Sequence, residues 1–140
     1  MDSKNFDNLS IGYMIPELTI APTHMQLFMY SAATWNRHHV HYSKDAAIEE
    51  GLPDVVVHRG LMGNFITQML DKWLNNHGEI VSVNWKVVSS ATPGTELACT
   101  GMVTNLATEM GTQVELDVFI NDQKRIIALG NAIVRINQAT

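Results

Sequence analysis

The chain has 140 residues, of which 46% are hydrophobic and 16% charged, with a single cysteine and a formal net charge of −5 at pH 7. That length suits one domain with its own core. An acidic balance with scattered Lys and Arg excludes nucleic acid as the main partner, and no apolar run approaches the roughly 20 residues of a membrane span.

The low charged fraction points to some surface being buried in an oligomer. Cys99 stands alone, so no intrachain disulfide is expected. Its strand-like flanks, Leu97-Ala98 and Thr100-Gly101, predict a buried, inert thiol. The N-terminal MDSKNFDN is polar and acidic and reads as neither a signal nor a transit peptide, so the expected location is the cytoplasm. An organelle reached through a partner stays open.

Residues 1–10 read as a flexible tail and 11–140 as a single domain. Met14 to Ala21 predicts a first strand, with Pro16 near its start and Pro22 at its end. Thr23 is placed to cap a helix from His24 to Thr34. Residues 35–42 have no clean period. Ser43 caps a short helix, Lys44 to Glu50, which Gly51 terminates. Val55 to Val57 is a short apolar run, strand-like or extended.

The strongest helical signal follows. Leu61, Met62, Phe65, Ile66, Met69, Leu70, Trp73 and Leu74 recur at helical spacing, with Asn64, Gln68, Asp71 and Lys72 opposite. The apolar face is two residues wide, so the helix is mostly buried, and Gly78 is the expected stop. The period then changes to two. Val81, Val83, Trp85 and Val87 alternate with polar residues, and Pro93-Gly94 marks a turn. Leu97–Leu106, Gln113–Ile120 and Arg125–Ile136 read as further strands, separated by turns at Glu109-Met110-Gly111 and Asn121-Asp122. Ala128, Gly130 and Ala132 put small side chains on one face of the last strand, room for a helix to lie close. The pattern gives an α+β class, an antiparallel sheet on a central helix.

His38, His39, His41 and His58 crowd the stretch between the first helix and the buried one. An imidazole exchanges protons near neutral pH, and a helix N-terminus stabilises developing negative charge. The run Asn36-Arg37-His38-His39-Val40-His41-Tyr42 resembles the signature of the MaoC-type hydratase/dehydratase family. It is similar to a branch with Asn-x-His-x-Ile-His-Tyr that includes mitochondrial-type 3-hydroxyacyl thioester dehydratases. The small MaoC-like subunits of steroid side-chain hydratases are a further relative in size and layout. Downstream, Ala46-Ala47, Gly51, Val55-Val56-Val57 and then His58-Arg59-Gly60-Leu61 follow the family's order of an Ala-rich helix, a Gly, an aliphatic run and a His-Gly-Leu opening.

The resemblance implies the hot-dog fold, a sheet wrapped around a long central helix, and a hydro-lyase that interconverts 2-enoyl and (R)-3-hydroxyacyl thioesters. It implies His41 as the base for hydration and the acid for dehydration. Backbone N–H groups at Gly60 and Leu61 would hold the thioester oxygen. Asn36 stands where many members have a catalytic Asp, and an amide orients a water without accepting its proton. Three alternatives follow: His41 works alone, His38 assists, or the chain is a weak or non-catalytic subunit paired with an active one. Arg59 stands where the family often has His, with a coenzyme A phosphate or a surface ion pair as its expected partners. Trp35 either lines an acyl pocket or packs under the loop. His58 is expected to cap or pack.

No metal or redox cofactor is expected. Coenzyme A or acyl carrier protein would carry the substrate, and His38 with His41 lacks a Cys or carboxylate to complete a zinc site. The resemblance implies a homodimer or higher oligomer, or a hetero-oligomer with a second MaoC-like subunit. Two other functions stay open. A hot-dog thioesterase would need a carboxylate base, for which Glu49, Glu50, Asp54 and Asp71 are the candidates. The other is a non-catalytic acyl-binding subunit.

Overall fold

Strict alternation in the second half of the chain becomes long strands, each with one face in the core. In the computed structural model, which describes residues 6–107 and 112–137, the elements run β1 (Leu18–Ile20), α1 (His24–Thr34), a 3-10 turn (His39–His41), α2 (Lys44–Glu49), α3 (Arg59–Leu74), β2 (Gly78–Val87), β3 (Leu97–Ala107), β4 (Thr112–Asn121) and β5 (Ile126–Ile136). The strands form one antiparallel sheet in the order β1-β3-β4-β5-β2. On β4 the inward residues Val114, Leu116, Val118 and Ile120 are fully buried. They share one core with Met62, Ile66, Met69 and Leu70 of α3. Each such aliphatic side chain contributes about 1.5–3 kcal/mol on burial. A sheet wrapped around one buried helix is the hot-dog fold, as the sequence implied.

Two glycines set how closely the layers approach. A Cβ on Gly63 of α3 would run into the Trp85 indole of β2. The small residues of β5 work differently from expectation. Ala128 and Ala132 are buried in the core, but the space a Gly130 side chain would need is filled by the Asn84 carbonyl of β2. Gly130 therefore serves strand against strand, not helix against sheet.

The expected first strand is cut to Leu18–Ile20, with Met14 making only an isolated bridge to Met102. Pro16 has no N–H to extend the ladder between them. The expected helix stop at Gly78 is wrong: α3 ends at Leu74, where Asn75 takes the left-handed conformation (φ 44°). Asn tolerates that conformation. Gly78 instead opens β2, where a Cβ would sit 2.5 Å from the Arg135 carbonyl oxygen. Val55 to Val57 is extended and buried but joins no strand; Val56 N–H donates to Val40 O and Val57 N–H to Ala91 O. The Asn121-Asp122 turn is held by Asp122, whose carboxylate accepts from the N–H groups of Lys124 and Arg125 (both 2.8 Å). The turn expected at Glu109-Met110-Gly111 lies outside the described residues. In the expected N-terminal tail, the Phe6 ring packs edge-on against Trp73, 5.5 Å between centroids.

Cys99 is fully buried, and burial pushes its thiol up to about 12. Among the described residues no helix is long and apolar enough to cross a membrane. Because the neighbour of Gly130 is backbone and cannot swing away, Gly130→Ala is expected to cost about 2 kcal/mol, within the usual range for overpacking. Urea denaturation checks this, and an unchanged midpoint would show that β2 and β5 can part at no cost.

Candidate active site

The site grows from the way α1 ends. Thr23 caps the helix by accepting from Gln26 N–H (3.1 Å), and Trp35 closes it in the left-handed conformation, φ 57°. The chain turns there, and Asn36 N–H donates to Ser31 O (2.9 Å). The Asn36 side-chain oxygen accepts from His38 N–H (3.1 Å), a local bond typical of Asn in turns. Tyr42 donates its hydroxyl to Arg37 O (3.0 Å), and Ser43 N–H donates to His39 O (2.7 Å). The buried Val40 anchors the loop. These bonds deliver the 3-10 turn, and His41 with it, to the first turn of α3.

His41 Nδ1 lies 2.7 Å from Val56 O. A carbonyl only accepts, so Nδ1 carries the proton and Nε2 of the neutral ring keeps its lone pair. The His41 ring stacks on that of His58, with centroids 3.9 Å apart and planes 20° from parallel. His58 is 1% exposed, and its Nε2 pairs with Ser31 Oγ at 2.7 Å. Its Nδ1 is buried without a partner among the described residues. The Tyr30 ring tilts against that of His58, with centroids 4.7 Å apart. Burial, with the neighbouring His41 adding to it, pulls the His58 pKa down to about 4. His41 is also held below its ordinary value: burial dominates, the bond to Val56 O opposes it, and the nearby His38 adds to the lowering. Both shifts favour the neutral ring.

His58 sits at the N-cap position of α3, but its side chain makes no capping bond. The first N–H groups of a helix have no intrahelical partner, so this turn presents donors. Gly60 lies in it and is exposed; a Cβ there would fall 2.5 Å from the Tyr30 hydroxyl.

The residues picked out in the sequence divide accordingly. His41 stacks on His58, the N-cap of α3, and Gly60 lies in that helix's first turn. Leu61 turns its side chain into the core, leaving its backbone at the helix start. His38 lies edge-on to His41 (5.7 Å) while its Nε2 meets the Glu50 carboxylate at 3.1 Å on the surface. Asn36 uses its amide oxygen on the loop and lines a cleft of about 160 Å³ with Phe28, Trp35 and Tyr42. His41 lines a second cleft of about 300 Å³, also bounded by Phe28 and Tyr42. Trp35 is 75% exposed, with the Arg37 guanidinium 5.8 Å from its ring. Arg59 makes no ion pair among the described residues. Its guanidinium lies 5.3 Å over the Trp85 ring and donates to Trp85 O (3.3 Å), while Trp85 Nε1–H donates back to Arg59 O (2.9 Å). Ser31, Tyr30 and the stacking of His58 had no signal in the sequence. They belong to segments far apart along the chain, and no spacing rule joins them.

The fold and a family profile together place the chain among the MaoC-type hot-dog dehydratases. The profile of one family, hydroxyacyl-thioester dehydratase type 2, matches residues 13–93, and the chain belongs to that family. No curated protein matches it. Among solved structures it is similar to the (R)-hydratase from A. caviae involved in PHA biosynthesis, at TM-score 0.84 and 17% identity over 93% of this chain and 98% of that one. R-hydratase PhaJ1 from Pseudomonas aeruginosa gives TM-score 0.83 and 16% identity over 94% and 84%. A chain of the ChsH1-ChsH2 complex from Mycobacterium tuberculosis gives 0.81 and 17% over 91% and 98%. At these identities the likeness shows the fold.

The buried His58 makes a pH-dependent contribution of fixed sign. Above about pH 6.5 the ring is neutral folded or unfolded. Between its unfolded value, 6.5, and its folded value, about 4, only the unfolded chain takes the proton, so stability falls as pH falls. The loss should approach about 3 kcal/mol by pH 4. Thermal melts of the wild type and His58→Gln between pH 7 and 4.5 test this; the variant should show the shallower slope. Equal slopes would mean that His58 is not held neutral.

Proposed function

We propose that the chain is a hydro-lyase interconverting 2-enoyl and (R)-3-hydroxyacyl thioesters. One observation carries the reading: His41 is a neutral imidazole whose Nδ1–H is committed to Val56 O, which leaves Nε2 as the proton-accepting atom. In hydration Nε2 takes a proton from water as the oxygen bonds to C3. The C2–C3 π electrons move toward the thioester carbonyl, whose oxygen becomes an enolate held by N–H donors at Gly60 and Leu61. The imidazolium then returns a proton to C2, which restores the carbonyl and completes the net addition of water. Dehydration reverses each step and needs the same neutral His41. His38, edge-on to that ring, disfavours its protonation and so keeps the base available. Asn36 holds the loop and leaves the proton transfer to His41.

The reaction is redox-neutral and draws on no metal or organic cofactor; coenzyme A or an acyl carrier protein enters as part of the substrate. We read its assembly as a homodimer or a pair with a second MaoC-like subunit. β2 is an outer strand of ten residues, and an open edge of that length is normally covered. A second reading is an acyl-binding subunit without turnover, favoured by the amide of Asn36 where a carboxylate would supply a second proton-transfer group. Of the four carboxylate candidates for a thioesterase, Glu50 pairs with His38 and Asp54 with His24.

Loss of enoyl absorbance from crotonyl-CoA and a longer 2-enoyl-CoA tests the proposal. His41→Ala is expected to lower kcat by about 10²–10⁴-fold, the usual contribution of a positioned acid/base, with the fold intact. Chiral analysis of the product checks the (R) assignment. Turnover unaltered in His41→Ala would sink the mechanism. No turnover in the wild type, with an acyl-CoA analogue still bound, would give the second reading instead.

A further inference from the structure

Tyr30 ends in a hydroxyl that finds no protein partner among the described residues. The ring is half-buried, while the oxygen stays open to solvent. Its place is specific. The oxygen, rather than the ring, reaches the first turn of α3. A Cβ on Gly60 would lie 2.5 Å from Tyr30 Oη but 3.5 Å and 3.8 Å from the ring carbons Cζ and Cε1. The glycine thus makes room for an oxygen. The ring rests on His58 (4.7 Å between centroids), and His58 stacks on His41 (3.9 Å). Tyr30 and His41 therefore both pack on the buried His58 ring, and the Tyr30 hydroxyl sits beside the helix start. A phenylalanine would fill the same volume against His58, so packing does not account for the oxygen.

We propose that the Tyr30 hydroxyl donates a hydrogen bond to the thioester oxygen of the substrate as that oxygen gains enolate charge, beside the backbone N–H groups at the start of α3. The proposal rests on the hydro-lyase reading above. It makes Tyr30 a catalytic residue, one that touches the reacting group while exchanging no proton with it. A donor aimed where charge develops works in the transition state more than in the ground state, so its loss falls on kcat rather than KM.

Tyr30→Phe deletes one oxygen and keeps the ring. With a 2-enoyl-CoA that the wild type hydrates, the variant is expected to lose about 100-fold in kcat, as for removal of one oxyanion donor. Its KM and melting temperature should stay close to wild type. The acid limb of its pH profile should not move, because His41 and its surroundings are intact. A second measurement needs no turnover. In a His41→Ala background, the absorbance of bound 2,4-hexadienoyl-CoA shifts to the red as its carbonyl is polarised, and adding Tyr30→Phe should shrink that shift. If kcat stays within twofold of wild type and the red shift is unchanged, the proposal falls while the hydro-lyase reading stands. A variant that no longer folds would also overturn it, by making the hydroxyl structural. If the wild type neither binds nor hydrates any enoyl thioester, both fall together.

Discussion

The candidate site depends on one imidazole that is never meant to be charged. His58 lies where α1, the histidine loop and α3 meet, and it is bonded to Ser31 of α1, stacked on His41 of the loop and covalently joined to the start of α3. A protonated ring there would face burial and a second imidazole at 3.9 Å, which is why its pKa is low. Held neutral, it is a flat, dry wall. His41 lies along that wall with one nitrogen bonded to backbone and the other without a partner among the described residues. Neither contact alone fixes the base. The bond to Val56 O selects the tautomer, and the stack fixes the plane of the ring.

This arrangement has a cost that the rest of the fold must offset. His58 Nδ1 is buried with no partner among the described residues, and such an orphan polar group costs about 1–3 kcal/mol. The core around α3 provides the surplus. Met62, Ile66, Met69 and Leu70 are sealed under a sheet whose inner face on β4 is wholly aliphatic. Gly63 lets the Trp85 indole of β2 press against α3, and Gly130 lets β2 and β5 close up behind it. Rigidity gained there is what allows an unsatisfied group and two adjacent imidazoles to persist at the helix entrance.

Much of this could be read from the residues in order. Periodicity found α3 and the long strands, because each buries a regular face and the pattern is local. The motif around Asn36 to His41, with His58 to Leu61, pointed to the family. What failed was decided by contacts across the chain. Gly78 looks like a helix stop, yet Asn75 takes that conformation and Gly78 is needed for the close approach of β5. The clasp of Arg59 with Trp85, 26 residues on, likewise had no local signal. Ser31 and Tyr30 are unremarkable positions in a helix with a weak apolar stripe. They acquire a role only when α1 is laid against the residue that precedes α3.

The clasp between Arg59 and Trp85 has a consequence for how the parts communicate. Arg59 is the first residue of α3, next to Gly60, and Trp85 belongs to the outermost strand. Two hydrogen bonds in opposite directions and a cation–π contact strap the entrance of the helix to the free border of the sheet. A molecule seated at the helix entrance and a chain added along that border therefore pull on the same strap. Thermodynamic linkage makes any coupling between them reciprocal: the factor by which assembly alters ligand affinity is the factor by which ligand alters assembly.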